Sequence, residues 1–236
     1  MKKVAVINFS GNVGKSSISR YLLAPRMNCD VIEIESINDA GGGSHSRKKI
    51  RGKEFNELRQ DLLMSNGLVV DIGASNVEDF MDAISEYDDG MDEFEYFVIP
   101  TVAAIKQQED TVSTIEALSS VGVPANKIIV VFNQFDRKAG DLKKQFSVIY
   151  NQLGDAGICV LDENIVVPKH GFFEAFQQEV RSFDEVVSDD TDYRSLIGET
   201  KNKNQQVEYV RKLGMKSLAM GINSKLDNVY AAMTSS

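Results

Sequence analysis

Short apolar runs alternating with helix-patterned segments predict an α/β protein: a mostly parallel, twisted β-sheet with helices on both faces. Three observations carry this. Seven runs read as strands, at 3–9, 30–35, 67–72, 95–100, 127–133, 157–161 and 164–167. Helical patterns separate most of them, at 15–23, 53–65, 77–86, 106–120 and 138–153. The first strand runs into a small Gly-containing loop that opens the first helix, as a phosphate-binding site requires.

Taken in order, "KVAVINF" is apolar and β-branched, "SGNVG" is the loop, and "KSSISRYLL" is the helix that Pro25 closes. "VIEIE" and "GLVVDI" are near-continuous apolar runs of the kind buried in a parallel sheet. Gly122 and Pro124 punctuate the fourth helix. The stretch "SDDTDYRSLIGETKNKN" is polar and reads as a linking segment. Beyond it, Val207, Val210, Leu218, Ile222, Leu226, Val229 and Met233 predict an amphipathic helix interrupted near Gly214 or Gly221. The expected division is a nucleotide-binding domain over 1–185 and a C-terminal linker and helix over 186–236, packing on that domain or extending it.

Composition narrows the function. The 236 residues are 42% hydrophobic, enough for one sizeable core. No run is long and apolar enough to span a bilayer, and the N-terminus lacks a signal-peptide core, so a cytoplasmic protein is expected. Cys29 and Cys159 sit in apolar runs and read as reduced buried thiols. His45 and His170 stand apart without Cys or His neighbours, so no zinc site is expected. The net charge of −9 argues against a general nucleic-acid binder, yet charge is uneven. No Lys or Arg falls between Arg59 and Lys106, while "RKKIRGK" at 47–53 is dense in cations. Arg47, Lys48, Lys49 and Arg51 are therefore candidates for direct contact with DNA or an acidic partner face, with a C-terminal cluster around Arg211, Lys212 and Lys216 as the rival.

The loop reads G-x-x-G-K-S-S from Gly11 to Ser17. At a strand–helix junction, its backbone N–H groups and the helix dipole face an anion together. Lys15 would reach β- and γ-phosphates, Ser16 would ligate Mg²⁺, and Ser17 would sit near the α-phosphate. The first glycine of the common G-x-x-x-x-G-K-[ST] loop would fall on Phe9, so the loop is of a different kind. Asp71, ending "GLVVD", is an acceptor placed for the Mg²⁺ water shell. The small Gly73 and Ala74 follow it.

This register resembles the deviant Walker A loop, K-G-G-x-G-K-[ST]-[ST], of the ParA/MinD superfamily: Gly11, Val13, Gly14, Lys15, Ser16 and Ser17 match. Ser10 stands where that family has its signature lysine, and Asn12 where it has its second glycine. The likeness runs over about residues 1–180. "VIEIESIND" is similar to the family's second strand with Glu33 and Glu35 for its two aspartates, which implies that Glu35 orients the attacking water. "GLVVDIGAS" resembles the Walker B strand. "IIVVFNQFD" places Asn133 where the family's adenine-binding Asn stands, although N-x-x-D also echoes the guanine-reading motif of GTPases and keeps GTP open. "ENIVVPKHGFFEAF" resembles the last strand, with Pro168 flanking the base.

Within the superfamily, "MKKVAVINFSGNVGKSS" followed by "LLAPR" is most similar to the StbB plasmid-stability proteins. The resemblance implies bound ATP or ADP with Mg²⁺, slow ATP hydrolysis, nucleotide-dependent self-association, and a small plasmid-encoded DNA-binding partner in plasmid partition, stability or conjugative transfer. Two other readings remain: an ATP-dependent small-molecule enzyme similar to dethiobiotin synthetase, with the basic 44–53 segment as an anion site, and a non-hydrolysing nucleotide-binding module.

Overall fold

The computed structural model describes residues 3–34, 46–48, 53–87 and 89–235. Seven parallel strands form one sheet: β1 (Lys3–Val6), β2 (Asp30–Ile34), β3 (Ser46–Lys48), β4 (Leu68–Ile72), β5 (Tyr96–Thr101), β6 (Ile128–Phe135) and β7 (Val166–Pro168). Their spatial order is β3-β2-β4-β1-β5-β6-β7. From β1 the chain moves toward β2 on one side, whereas β4 leads across to β5 on the other. Right-handed crossovers therefore put helices on both faces, and the reversal opens a crevice at the carboxyl ends of the central strands.

The helix after the loop is composite. α1 (Lys15–Ser17) passes into a π-helical stretch, Ile18–Leu23, and then α2 (Ala24–Met27). It buries Ile18, Leu22 and Leu23. α3 (Lys53–Met64), α4 (Val77–Ser85) and α5 (Ile105–Ser120) follow, then the short α6 (Leu142–Gln145) and α7 (Ser147–Leu153). Their apolar stripes meet alternate strand residues in one cluster, with Phe55, Phe80, Ile115 and Ile149 against Ile32, Val70, Phe97 and Val130. Because strand side chains alternate, Glu33 and Asp71 point to the opposite face, that of the loop helix.

The remaining helices are α8 (Phe172–Ala175), α9 (Phe183–Val187), α10 (Tyr193–Glu199) and α11 (Lys203–Ser235). Contacts group the chain into two units, 1–169 with 229–236, and 170–228, so the sequence division at 185/186 falls inside the second unit. Within that unit Phe172, Phe176 and Phe183 cluster, and Arg181 bridges Glu179 and Asp189 at 3.1 and 3.0 Å.

Most of the sheet is legible in the sequence, but β3 falls where no strand was expected, the loop helix runs past Pro25 to Met27, and four further departures are local. Residues 157–161 form only a bridge, Ile129 with Val160, because Gly157 turns at φ 64° and β7 takes the rest of the β6 edge. The helix expected over 138–153 is broken: Gly140 sits at φ 124°, and Asp141 starts α6 by accepting from Lys144 N. The expected linker contains α10, started by Asp192, which accepts from Arg194 N and Ser195 N. α11 runs unbroken through Gly214 and Gly221. Each glycine costs about 1 kcal/mol, which the stripe of buried Met215, Ala219, Ile222, Leu226, Val229 and Met233 outweighs.

Candidate nucleotide site

The carboxyl ends of β1, β2 and β4 lie side by side at the loop. Asp71 in β4 lies between Val6 of β1 and Glu33 of β2 in the strand register. The loop itself, residues 8–14, is held from behind by a buried polar lattice. Asn8 Nδ2 donates to Pro100 O (2.9 Å) and Thr111 Oγ1 (2.8 Å), its Oδ1 accepts from Ser10 N (2.7 Å), and Phe9 N donates to Thr114 Oγ1 (3.0 Å). Thr111 and Thr114 come from one face of α5. The left-handed turns fall on Asn12 (φ 60°) and Gly14 (φ 88°), not on Phe9. Asn tolerates that region better than most residues, so the loop keeps its path without the family's second glycine.

Gly11 and Asn12 are exposed, and a Cβ built at Gly11 meets nothing within 4 Å. Among the described residues, the backbone N–H groups of 11–17 have no acceptor, and Ile18 N is the first to close a helical bond, onto Gly14 O. Such a row of free donors at a helix start fits a phosphate chain.

Lys15 is 8% exposed and folds over the loop: Nζ donates to Ser10 O (2.7 Å) and Asn8 O (3.1 Å). Burial lowers its pKa to about 8, and the Asp71 charge opposes that shift. The Ser16 hydroxyl faces the Asp71 carboxyl. Burial pushes the Asp71 carboxyl up to about 6; the Ser16 hydroxyl opposes this, the Glu33 charge adds to it, and Lys15 and Arg20 oppose it. One hydroxyl, of Ser16, and one carboxylate, of Asp71, could hold Mg²⁺. That ion takes few protein ligands and keeps water and phosphate oxygens.

Glu33 is 2% exposed and is clamped by Arg20, which donates to it through Nε (2.9 Å) and Nη2. The loop after β4 is tied to β2 by Gly73 N and Asn76 Nδ2, both donating to Ile34 O (2.8 and 3.3 Å). At the far side, Asn133 lies near the carboxyl end of β6 with its amide on the loop, Nδ2 to Val13 O at 2.8 Å. Pro168 pairs in register with Phe135, two residues beyond Asn133. Asp136 spends Oδ1 on Lys138 N (2.9 Å).

No family model matches the sequence, and no curated protein is significantly similar to it. Solved structures are similar. A chain of the MinC:MinD cell division protein complex from Aquifex aeolicus superposes with a TM-score of 0.55 at 10% identity, covering 100% of this chain and 96% of that one. The cell division ATPase MinD of Pyrococcus furiosus gives 0.52 at 13% identity, over 90% and 98%. The pnob8 ParA gives 0.51 at 12% identity, over 96% and 99%.

This chain has the MinD/ParA fold.

On the MinD/ParA fold, the expected residues divide into three groups. Gly11, Asn12, Val13, Gly14, Lys15, Ser16, Ser17 and Asp71 are brought together at the loop, and Asn133 and Pro168 lie at the β6–β7 end. Glu35, Lys49 and Arg51 lie outside the described residues. Arg47 and Lys48 lie on β3, an edge strand, where a loop or helix start was expected. Asn8 and Arg20 are not evident from sequence reasoning. A polar residue directly after a buried apolar strand signals the first. Nothing in the pattern signals the second, since Arg20 sits in the π-helical stretch.

Proposed function

We propose that this protein is a nucleotide-driven switch: a Mg²⁺-dependent ATPase, slow alone, that controls a small plasmid-encoded DNA-binding partner in plasmid stability, partition or conjugative transfer. The observation that carries the nucleotide reading is the row of backbone N–H groups at 11–17, which has no acceptor among the described residues and lies beside Lys15, Ser16 and Asp71. Lys15 would hold β- and γ-phosphates, and Ser16 and, through water, Asp71 would hold Mg²⁺. The ion would supply positive charge to the phosphate oxygens where negative charge develops. Glu35 would orient the attacking water, and Asn133 and Pro168 would flank the base. ATP binding would act on the segments after β2 and β4 and so change the partner surface; hydrolysis would reset it. Self-association through the nucleotide belongs to the same reading, as does a bacterial cytoplasmic setting.

The plasmid role rests on the resemblance of the N-terminal segment to StbB proteins. The test is ATP turnover by the purified protein with and without a candidate DNA-binding partner, beside Lys15→Ala and Glu35→Gln. Lys15→Ala should abolish Mg²⁺-nucleotide binding. Glu35→Gln should bind ATP and hydrolyse it at least tenfold more slowly, the size of a lost general-base contribution being on the order of 10²–10⁴. Unchanged affinity in Lys15→Ala sinks the loop assignment; unchanged turnover in Glu35→Gln moves water positioning elsewhere.

A further inference from the structure

Asn133 is 3% exposed, and its amide bonds in two directions at once. Nδ2 donates to Val13 O in the phosphate loop (2.8 Å), and Oδ1 accepts from the backbone N of Gln134 (2.9 Å). Both ends are unusual backbone. Val13 lies between the left-handed Asn12 and Gly14, and Gln134 is itself left-handed, at φ 56°. A residue with a side chain resists that region, so each turn needs a partner that holds it. Gly14 supplies the space: a Cβ there would lie 2.2 Å from Asn133 Nδ2. Beyond β6 the turn is braced by the Gln145 amide, which donates to Asp136 O and Gly140 O at 2.8 Å each.

We infer that Asn133 is a positioning residue that locks the phosphate loop to the carboxyl end of β6, so that the phosphate and base ends of a nucleotide are coupled through one side chain. The inference rests on the nucleotide-binding reading, and it gives Asn133 a role other than direct base contact. Its bonds are buried, where they are worth more than in water and where an unmade partner is costly.

The test uses a probe without a base. Affinities of inorganic tripolyphosphate and of ATP, each with Mg²⁺, are measured for the full-length wild type, Asn133→Ala and Asn133→Asp, with melting curves for each. A residue that only touches the base would leave tripolyphosphate affinity unchanged. A lock predicts that both affinities fall, by about three- to tenfold, the worth of one net hydrogen bond. Asn133→Asp should weaken tripolyphosphate at least as much, because it keeps the acceptor for Gln134 N but turns a carboxylate oxygen toward Val13 O. In the wild type, tripolyphosphate alone should slow amide hydrogen exchange over 134–140. Tripolyphosphate affinity held within twofold in a folded variant, or unaltered exchange over 134–140, overturns the inference. A wild type that binds neither probe overturns the nucleotide reading instead.

Discussion

Two N–H groups of Arg20 converge on a single oxygen, Oε1, of Glu33. Glu33 stands beside Asp71 in the β2–β4 register, so two buried carboxylates share one corner of the site and only Glu33 has a guanidinium. Arg20 thus balances the carboxylate beside Asp71 and is one of the groups that oppose the rise of the Asp71 pKa.

Removing Arg20 should therefore cost more than a surface ion pair would. Breaking a buried pair by deleting one partner costs about 3–5 kcal/mol. A value near ~3 is expected here, because a third of the Arg20 side chain remains exposed. Urea denaturation of Arg20→Ala measures it. The double variant Arg20→Ala with Glu33→Gln should recover at least half of the loss. A single variant as stable as wild type, or a double no better than the single, would show that the clamp does not compensate Glu33.

Asp71 gives a pH signature in metal-free protein. Its folded pKa, about 6, lies above the ordinary 3.8. The folded state holds the proton more tightly, so ionisation opposes folding: the cost is complete above pH 6, shrinks between 6 and 3.8, and is gone below. Each tenfold gain in proton affinity is worth roughly 1.4 kcal/mol, so Asp71→Asn should be more stable than wild type by about 2–3 kcal/mol at pH 7.5 in EDTA. The gap should close as pH falls to 4. An Asn variant that is less stable at pH 7.5, or a gap that widens in acid, contradicts the assigned burial of an unpaired charge.

Much of this site can be read from residue types, and what escapes does so for identifiable reasons. Lys15, Ser16 and Asp71 announce themselves because their chemistry is tied to a strand end and a helix start, which apolar patterning locates well. Asn8 is hidden because its role depends on Thr111 and Thr114, a hundred residues away on α5. Arg20 is hidden because a π-helical stretch changes which side chains face the sheet, and no periodicity marks such a stretch. α11 reads as broken because glycine propensity is local, while the buried stripe that overrides it spans the helix.

Base choice should favour ATP. Asp136 already gives Oδ1 to Lys138 N, starting a 3-10 turn, whereas guanine recognition in an N-x-x-D arrangement needs a carboxylate free to accept two donors. Competition binding should show ATP preferred over GTP, with the ratio in Asp136→Ala unchanged within about twofold and stability lower by ~1 kcal/mol from the lost cap. A GTP preference that Asp136→Ala removes would reverse the assignment.

The two basic segments should differ in their effect on DNA binding. In the C-terminal cluster, Arg211 faces Glu179 at 3.9 Å and Lys212 faces Glu208 at 2.8 Å, so two of its three cations are already paired. In the other segment, Arg47 and Lys48 lie on β3, whose register sets them against Glu33 and Ile34, at the end of β2 that leads to the nucleotide site. Each phosphate neutralised contributes about 0.9 to the log–log salt slope of affinity. Replacing Arg47, Lys48, Lys49 and Arg51 with Ala should lower the slope by on the order of two to four, and replacing Arg211, Lys212 and Lys216 should lower it by less than one. Titrations of a short duplex at several salt concentrations, with and without ATP, measure both. A larger effect from the C-terminal set would exchange the two assignments. No effect from either set, in either nucleotide state, would mean that this chain does not touch DNA itself and reaches it only through its partner.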